Sequence, residues 1–326
     1  AEAVAAYARS AREVSSVKDD AFAFIRDTLA AGKPCNEWMV VERMHEQYAR
    51  LGLEYPDGPI VAVNAHAGDP HYDPTEATSA PIRKGDFVLI DLWARRPGND
   101  NIFCDICWVG ACGSPTDRQV KVFETVRAAR DAAVVFAQQR WAAKKPVAGW
   151  EVDDAAMGVL RGSPWPDAIR HRTGHSLSPG SKVHGLGVNI DNTETHDTRE
   201  LLPGVGFTIE PGLYFDDFGV RSEINVHVDP MRGPTVASEA QSDILRLAGA
   251  NRPHREAART RAASQMARAA RVASSSTALS RPISKKESAK DFGAIAVSPS
   301  VDPMVRLIST ESAMWKPMPS RIAETA

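Results

Sequence analysis

Gly85 to Gly110, GDFVLIDLWARRPGNDNIFCDICWVG, is the stretch whose reading decides the fold. Two runs rich in β-branched and aromatic residues, FVLIDLW and IFCDICWV, flank the turn segment RRPGNDN. This pattern predicts an antiparallel hairpin. Each run carries one Asp among apolar neighbours, Asp91 and Asp105. With Gly98 at the centre of the turn, the two fall directly opposite each other, on one face, with Cβ atoms about 5 Å apart. Carboxylates buried that closely repel unless a proton or a cation lies between them. A metal ion is the natural occupant; the alternative is two unrelated surface Asp.

A second pair of runs repeats this logic. Glu210 in GFTIEPGLYF and Glu223 in GVRSEINVHV are symmetric about Asp216–Asp217, so a hairpin again sets two carboxylates opposite each other. A Gly/His-rich loop, RHRTGHSLSPGSKVHGLG, precedes them. Four carboxylates and an imidazole from that loop can hold two divalent ions, roughly 3.5–4 Å apart, that activate a bridging water for hydrolysis. The oxygen-rich donor set favours Mn2+, with Fe2+ or Co2+ as alternatives and Zn2+ less suited.

The rest of the chain reads as an α+β domain followed by a tail. Residues 3–31 carry apolar positions at helical spacing and stop at Gly32 and Pro34. Asn36 caps a second helix to about Arg50, with Gly52 after it. PIVAVNAHAGDPHYDPT is a strand entering a His-containing loop. Ser114 or Thr116 caps a long helix through about Trp141, and a short helix covers about Asp153 to Arg161. Residues 164–205 lack periodicity and suit a functional loop region. Helices followed by antiparallel strands define the α+β class over residues 1–250.

From about Asn251 the composition turns Arg/Ala/Ser-rich, so residues 251–326 are expected to form a basic, low-complexity, disordered tail. Residues 251–290 hold seven Arg and three Lys against two Glu, a net of +8, while residues 1–250 carry −9. An acidic domain argues against a nucleic-acid surface, with the basic tail as the one exception. The four Cys (Cys35, Cys104, Cys107, Cys112) show no disulfide-framework spacing, which points to a reducing, cytoplasmic setting. Cys104 and Cys107, three apart on a strand, point to opposite faces and cannot chelate one ion. No apolar run approaches the ~20 residues of a membrane span, and the amino-terminal stretch lacks a signal-peptide core. Opening on Ala1 within a helical pattern is read as a processed start or a preceding domain.

GDFVLIDLWAR, FCDICWVG, HRTGHSL, GFTIEPGLYF and GVRSEINVHV occur in the order seen in the pita-bread metallopeptidases, and residues ~15–247 resemble that family. It includes Xaa-Pro aminopeptidase (aminopeptidase P), prolidase, methionine aminopeptidase and the metal-free creatinase. The resemblance implies a curved antiparallel sheet flanked by helices, with a metal site in its concave face. It implies Asp91, Asp105, His175, Glu210 and Glu223 as ligands of two divalent metals, with Glu210 also shuttling a proton. By the same resemblance His71 in DPHYDP, His184 in KVHGLG and Arg221 would contact the substrate and stabilise the tetrahedral intermediate. His66 is read as a loop hydrogen-bonder or a substrate contact, and His171 as structural.

Two departures stand out. The Asp91–Asp105 spacing is three residues longer than in most of the family, and HSLSPGSKVHGLG replaces a tight HGIG-type run, leaving His184 as an alternative ligand to His175. The amino-terminal domain of aminopeptidase P and prolidase has no counterpart in these 326 residues. The implied activity is hydrolysis of an amino-terminal Xaa-Pro type bond in a peptide substrate, with a homodimer expected by resemblance. Methionine aminopeptidase-like activity, creatinase-like C–N hydrolysis and a non-catalytic peptide- or protein-binding role are the alternatives.

Overall fold

The structure, a computed structural model, describes residues 2–247. The expected tail, residues 251–326, lies outside the described residues. Among the described residues, four α-helices are present: α1 (Glu2–Ala30), α2 (Glu37–Leu51), α3 (Asp117–Ala142) and α4 (Gly149–Arg161). Ten strands accompany them: β1 (Ile60–Val63), β2 (Phe87–Ala94), β3 (Cys104–Ala111), β4 (Ser176–Leu177), β5 (Gly206–Ile209), β6 (Gly212–Tyr214), β7 (Gly219–Arg221), β8 (Ile224–Asp229), β9 (Gly233–Val236) and β10 (Leu245–Arg246). None of the described helices is long and apolar enough to cross a membrane.

Local chemistry explains the helix ends. The Asn36 side chain accepts the Met39 N–H at 2.8 Å, and Gly52 closes α2 in the left-handed region that glycine tolerates. Thr116, rather than Ser114, caps α3 in a reciprocal box with Gln119. Helix α4 begins at Gly149, four residues before the expected Asp153. Glu151 reaches back to the Ala148 N–H at 2.9 Å, and a side chain at Gly149 would collide with the Asn189 carbonyl.

The strands form three ladders, ordered β1-β2-β3-β10, β4-β5-β8-β9 and β6-β7. All pairings are antiparallel except β10, which runs parallel to β3. Alternation along the central hairpin divides two apolar layers. Val88, Ile90, Leu92, Cys104 and Ile106 pack with α1 and α2. Phe87, Leu89, Cys107 and Val109 face α3 and α4. Asp91 and Asp105 continue this second face. Cys104 and Cys107 accordingly fall in different layers, as the period-two reading requires.

One register differs from expectation. Ala94 pairs with Cys104, Asp91 with Cys107 and Trp93 with Asp105, so the turn centres on Asn99 rather than Gly98. Asp91 and Asp105 are therefore diagonal neighbours on one face, roughly 7 Å apart rather than directly opposed. The cause lies in the turn: Arg95 leaves the β2–β3 ladder to exchange backbone hydrogen bonds with Glu54, at 2.9 and 3.0 Å. The second pair keeps its predicted register. Ile209 faces Ile224 and Gly212 faces Arg221, which brackets Glu210 opposite Glu223. Both runs are nevertheless broken at those carboxylates, into β5 and β6 and into β7 and β8.

Candidate metal centre and cavity

The carboxylates converge because three segments meet where the second ladder is interrupted. The Glu210 N–H leaves its hairpin to donate to the Thr173 carbonyl at 2.7 Å, and the Glu223 N–H donates to Cys107 O at 3.2 Å. These two bonds draw the His loop and β3 toward the broken hairpin. Gly174 permits the approach, since any Cβ there would strike the Thr208 carbonyl. Ligand-capable atoms of Asp105, His175 and Glu223, all buried, come within 4.8 Å of one another. A cavity of ≈ 760 Å³ opens over this group, and Asp91, Glu210, Arg221, His71, His171 and His184 share its lining.

His175 is oriented for ligation. Its Nδ1 lies 3.1 Å from the Ser176 carbonyl, which can only accept, so Nδ1 carries the proton and Nε2 the lone pair. Nε2 points at Asp105 Oδ2 (3.3 Å) and Glu210 Oε1 (3.5 Å). The His184 ring lies beside it, centroids 4.0 Å apart and planes tilted by 41°, outside the three-residue ligand cluster.

The charges demand a counter-ion. Burial, reinforced by the neighbouring acids, pushes Glu223 well above its ordinary range. Burial pushes Asp105 up to about 7, with the adjacent His175 opposing it. Asp91 is raised by burial despite Arg221. Burial alone would lower His175, but Asp105 and Glu210 outweigh it and raise it. Glu210 is the exception: His175, Arg221 and a hydrogen bond from the Thr208 hydroxyl overcome its burial and hold it low. Such a cluster retains protons where a cation would otherwise compensate the charge. Oδ1 of Asp91 and Oε1 of Glu223 are moreover buried without a hydrogen-bond partner. This donor set fits a divalent metal.

Asp91 stands apart from the three-residue cluster because Arg221 pairs with its Oδ2. Arg221 also donates to the Tyr214 hydroxyl at 3.2 Å, and that hydroxyl lies 2.6 Å from His171 Nε2. His171 Nδ1 donates to Arg172 O, so Nε2 accepts from Tyr214, as a neutral ring with its pKa lowered by burial. A hydrogen-bonded chain thus runs from His171 to Asp91. Arg221, expected on the substrate, pairs with Asp91 and also lines the cavity; His171, expected to be structural, is hydrogen-bonded to Arg172 O and Tyr214 and lines it too.

His71 and His66 divide as their loop dictates. Glu37, fully buried, accepts from the Val63 and Ala80 N–H groups and the Tyr72 hydroxyl, each at 2.7 Å. His66 Nδ1 lies 3.0 Å from the same carboxylate and its ring stacks on Tyr72. Glu37 fastens the loop and His66 with it, while His71 reaches the cavity wall. Glu37, Tyr214 and Asn225 were not singled out from sequence; a Glu at the first turn of a helix reads as an ordinary helix-start residue.

With this geometry the architecture is that of the pita-bread metallopeptidases. The chain belongs to metallopeptidase family M24, whose profile matches residues 9–230. It is 33% identical over 204 residues to a putative dipeptidase of Bacillus subtilis, covering 62% of this chain and 51% of that protein. It is 31% identical over 165 residues to the Xaa-Pro dipeptidase of Lactobacillus helveticus, covering 50% of this chain and 40% of that one. Among solved structures, prolidase from Thermococcus sibiricus superposes with a TM-score of 0.61 at 25% identity over 75% of this chain and 61% of that one. X-Pro aminopeptidase from Thermotoga maritima gives 0.62 at 22% identity, over 75% and 63%, and shows the shared fold. The chain therefore spans only part of these relatives.

Proposed function

We propose that residues 1–250 form the catalytic domain of a metal-dependent exopeptidase that cleaves an amino-terminal Xaa-Pro type peptide bond. The observation that carries this reading is the convergence of Asp105, His175 and Glu223 at the floor of a cavity shared with Asp91 and Glu210. The names of the Lactobacillus and Thermococcus relatives support the proline preference. Asp91, Asp105, His175, Glu210 and Glu223 would hold two divalent ions, Mn2+ being favoured by the oxygen-rich donors. When bound, such ions supply Lewis acidity and a nucleophilic water at neutral pH.

The chain's own residues supply the rest. Glu210, with its pKa held low, is an available proton acceptor that afterwards returns the proton to the leaving nitrogen. His184, exposed at the cavity wall and with its pKa lowered to about 4 by partial desolvation and by His175, is neutral and can donate a hydrogen bond to a carbonyl oxygen that gains charge. His71 meets the substrate from the opposite loop. Arg221, which pairs with Asp91 and lines the cavity, contacts the substrate as well as holding Asp91 in place. A cytoplasmic setting and a homodimer complete the reading.

Metal content and turnover on a panel of Xaa-Pro, Met-Xaa and other dipeptides test it. Mn2+-dependent cleavage of the Xaa-Pro members is expected, and Glu210→Ala or Asp105→Ala should abolish it. Undiminished turnover in either variant would end the proposal.

A further inference from the structure

The two stretches in which the sequence departs from its relatives meet in space. Arg95, buried in the long β2–β3 turn, donates from Nη1 to the Asn101 carbonyl at 3.0 Å and from Nη2 to the Asn99 side chain at 3.1 Å. The same Nη1 contacts the carbonyl of Gly180, in the extended segment after His175. That segment is tied at its base as well. Gly185 N–H donates to Ser176 O (2.7 Å), Leu186 N–H to Ser178 Oγ (3.1 Å) and Gly187 N–H to Ser176 Oγ (2.9 Å). Residues 178–187 are therefore a braced loop, and they present Lys182 and His184 to the cavity.

The cations on the cavity wall differ in what they are free to do. Arg221 is taken by Asp91 and Tyr214. Arg172 is taken by Glu194 at 3.1 Å and Asp191 at 3.7 Å. Among the described residues, no carboxylate lies within ion-pair distance of Lys182, which is exposed at the rim. Lys182 is thus a wall cation without an acidic partner among the described residues, and it can pair with a substrate's negative end. A lysine ammonium is a point charge on a flexible stem, suited to a single carboxylate.

We propose that Lys182, held in position by the Arg95–Gly180 brace, reads the free carboxyl terminus of a short peptide substrate and selects dipeptides and tripeptides over blocked or long ones. This inference rests on the peptidase reading for its substrate class. The test compares kcat/KM of the Mn2+-loaded full chain for an Xaa-Pro dipeptide and for the same dipeptide as its C-terminal amide.

Wild type should prefer the acid, and Lys182→Met should shrink the acid-to-amide ratio about fivefold, mainly through KM, the size expected of one exposed ion pair. Lys182→Glu should shrink it further, and Arg95→Met should follow Lys182→Met in direction. Turnover with no acid preference in wild type, or with the same ratio in Lys182→Met, overturns the assignment and leaves the peptidase reading standing. Should wild type turn over neither peptide, that reading fails, and calorimetric titration of the same loaded protein decides. Tighter binding of the acid than the amide, lost in Lys182→Met, upholds the carboxylate site; equal binding ends it.

Discussion

Asn225 does with one side chain what a neighbouring strand does with its backbone. Its Oδ1 accepts the Asp105 N–H at 3.0 Å, its Nδ2 donates to the Asp105 carbonyl, and the Tyr7 hydroxyl of α1 donates to the same Oδ1. These bonds join β3 to β8, which belong to different ladders, and so set Asp105 beside Glu223. Replacing Asn225 with Ala would leave buried backbone groups at Asp105 unpaired, at a cost of about 2–3 kcal/mol. Partners of this kind also govern metal affinity, so Mn2+ binding should weaken about 10- to 100-fold. Denaturant unfolding and calorimetric Mn2+ titration measure the two effects. A loss of stability with Mn2+ affinity intact would make Asn225 merely structural. The carboxylates were legible because an acid inside an apolar strand is improbable without a reason. Asn225, in phase with Glu223, was not, because a lone Asn in a strand names no partner.

At the scale of the element, residues 164–205 show what periodicity leaves out. The segment has little regular structure and is held by buried carboxylates instead. Asp153 of α4 accepts the Thr173 and Asn192 N–H groups at 2.9 and 2.7 Å. Asp191 accepts those of Thr193, Glu194 and Thr195 at 3.0, 2.8 and 3.1 Å, and the Thr195 hydroxyl at 2.8 Å. Composition marks this region as a loop; it does not say which Asp face inward, because each is hydrophilic in isolation. Burial alone would raise Asp191, but the three N–H donors outweigh it and hold it below 3.8. Its contribution is therefore present above that ordinary value and lost as pH falls through the lower, folded one. Wild type should melt above Asp191→Asn near neutrality, and the gap should narrow as acidification proceeds below pH 3.8. A gap of constant size across that range would show that the carboxylate's charge is not what anchors the loop.

At the scale of the whole fold, the β5–β8 and β6–β7 pairings break at Glu210 and Glu223, and the gap meets Asp91 and Asp105 of the unbroken β2–β3 ladder. Alternation along β2 and β3 was readable because one face packs on α1 and α2 and the other on α3 and α4. The parallel β10 and the short β4 and β9 were not, since two- to four-residue strands carry too few side chains to show a period. Gathering four carboxylates at this seam should make folding depend on cations. Mn2+ at a hundredfold excess over its dissociation constant should stabilise the native state by about 2.7 kcal/mol. A thermal melt reads this as a rise in Tm, reduced in Asp105→Ala; a Tm indifferent to Mn2+ would contradict it. The Arg95 brace has a further consequence for how such a molecule can change. Arg95–Phe103 and residues 178–187 both lie outside the strand pairings that align Asp91, Asp105, Glu210 and Glu223. The pair forms one cassette: exchanged together, the two loops change the cavity wall, Lys182 and His184 included, while the carboxylates of the floor stay in register. Swapped singly, they sever the tie between them.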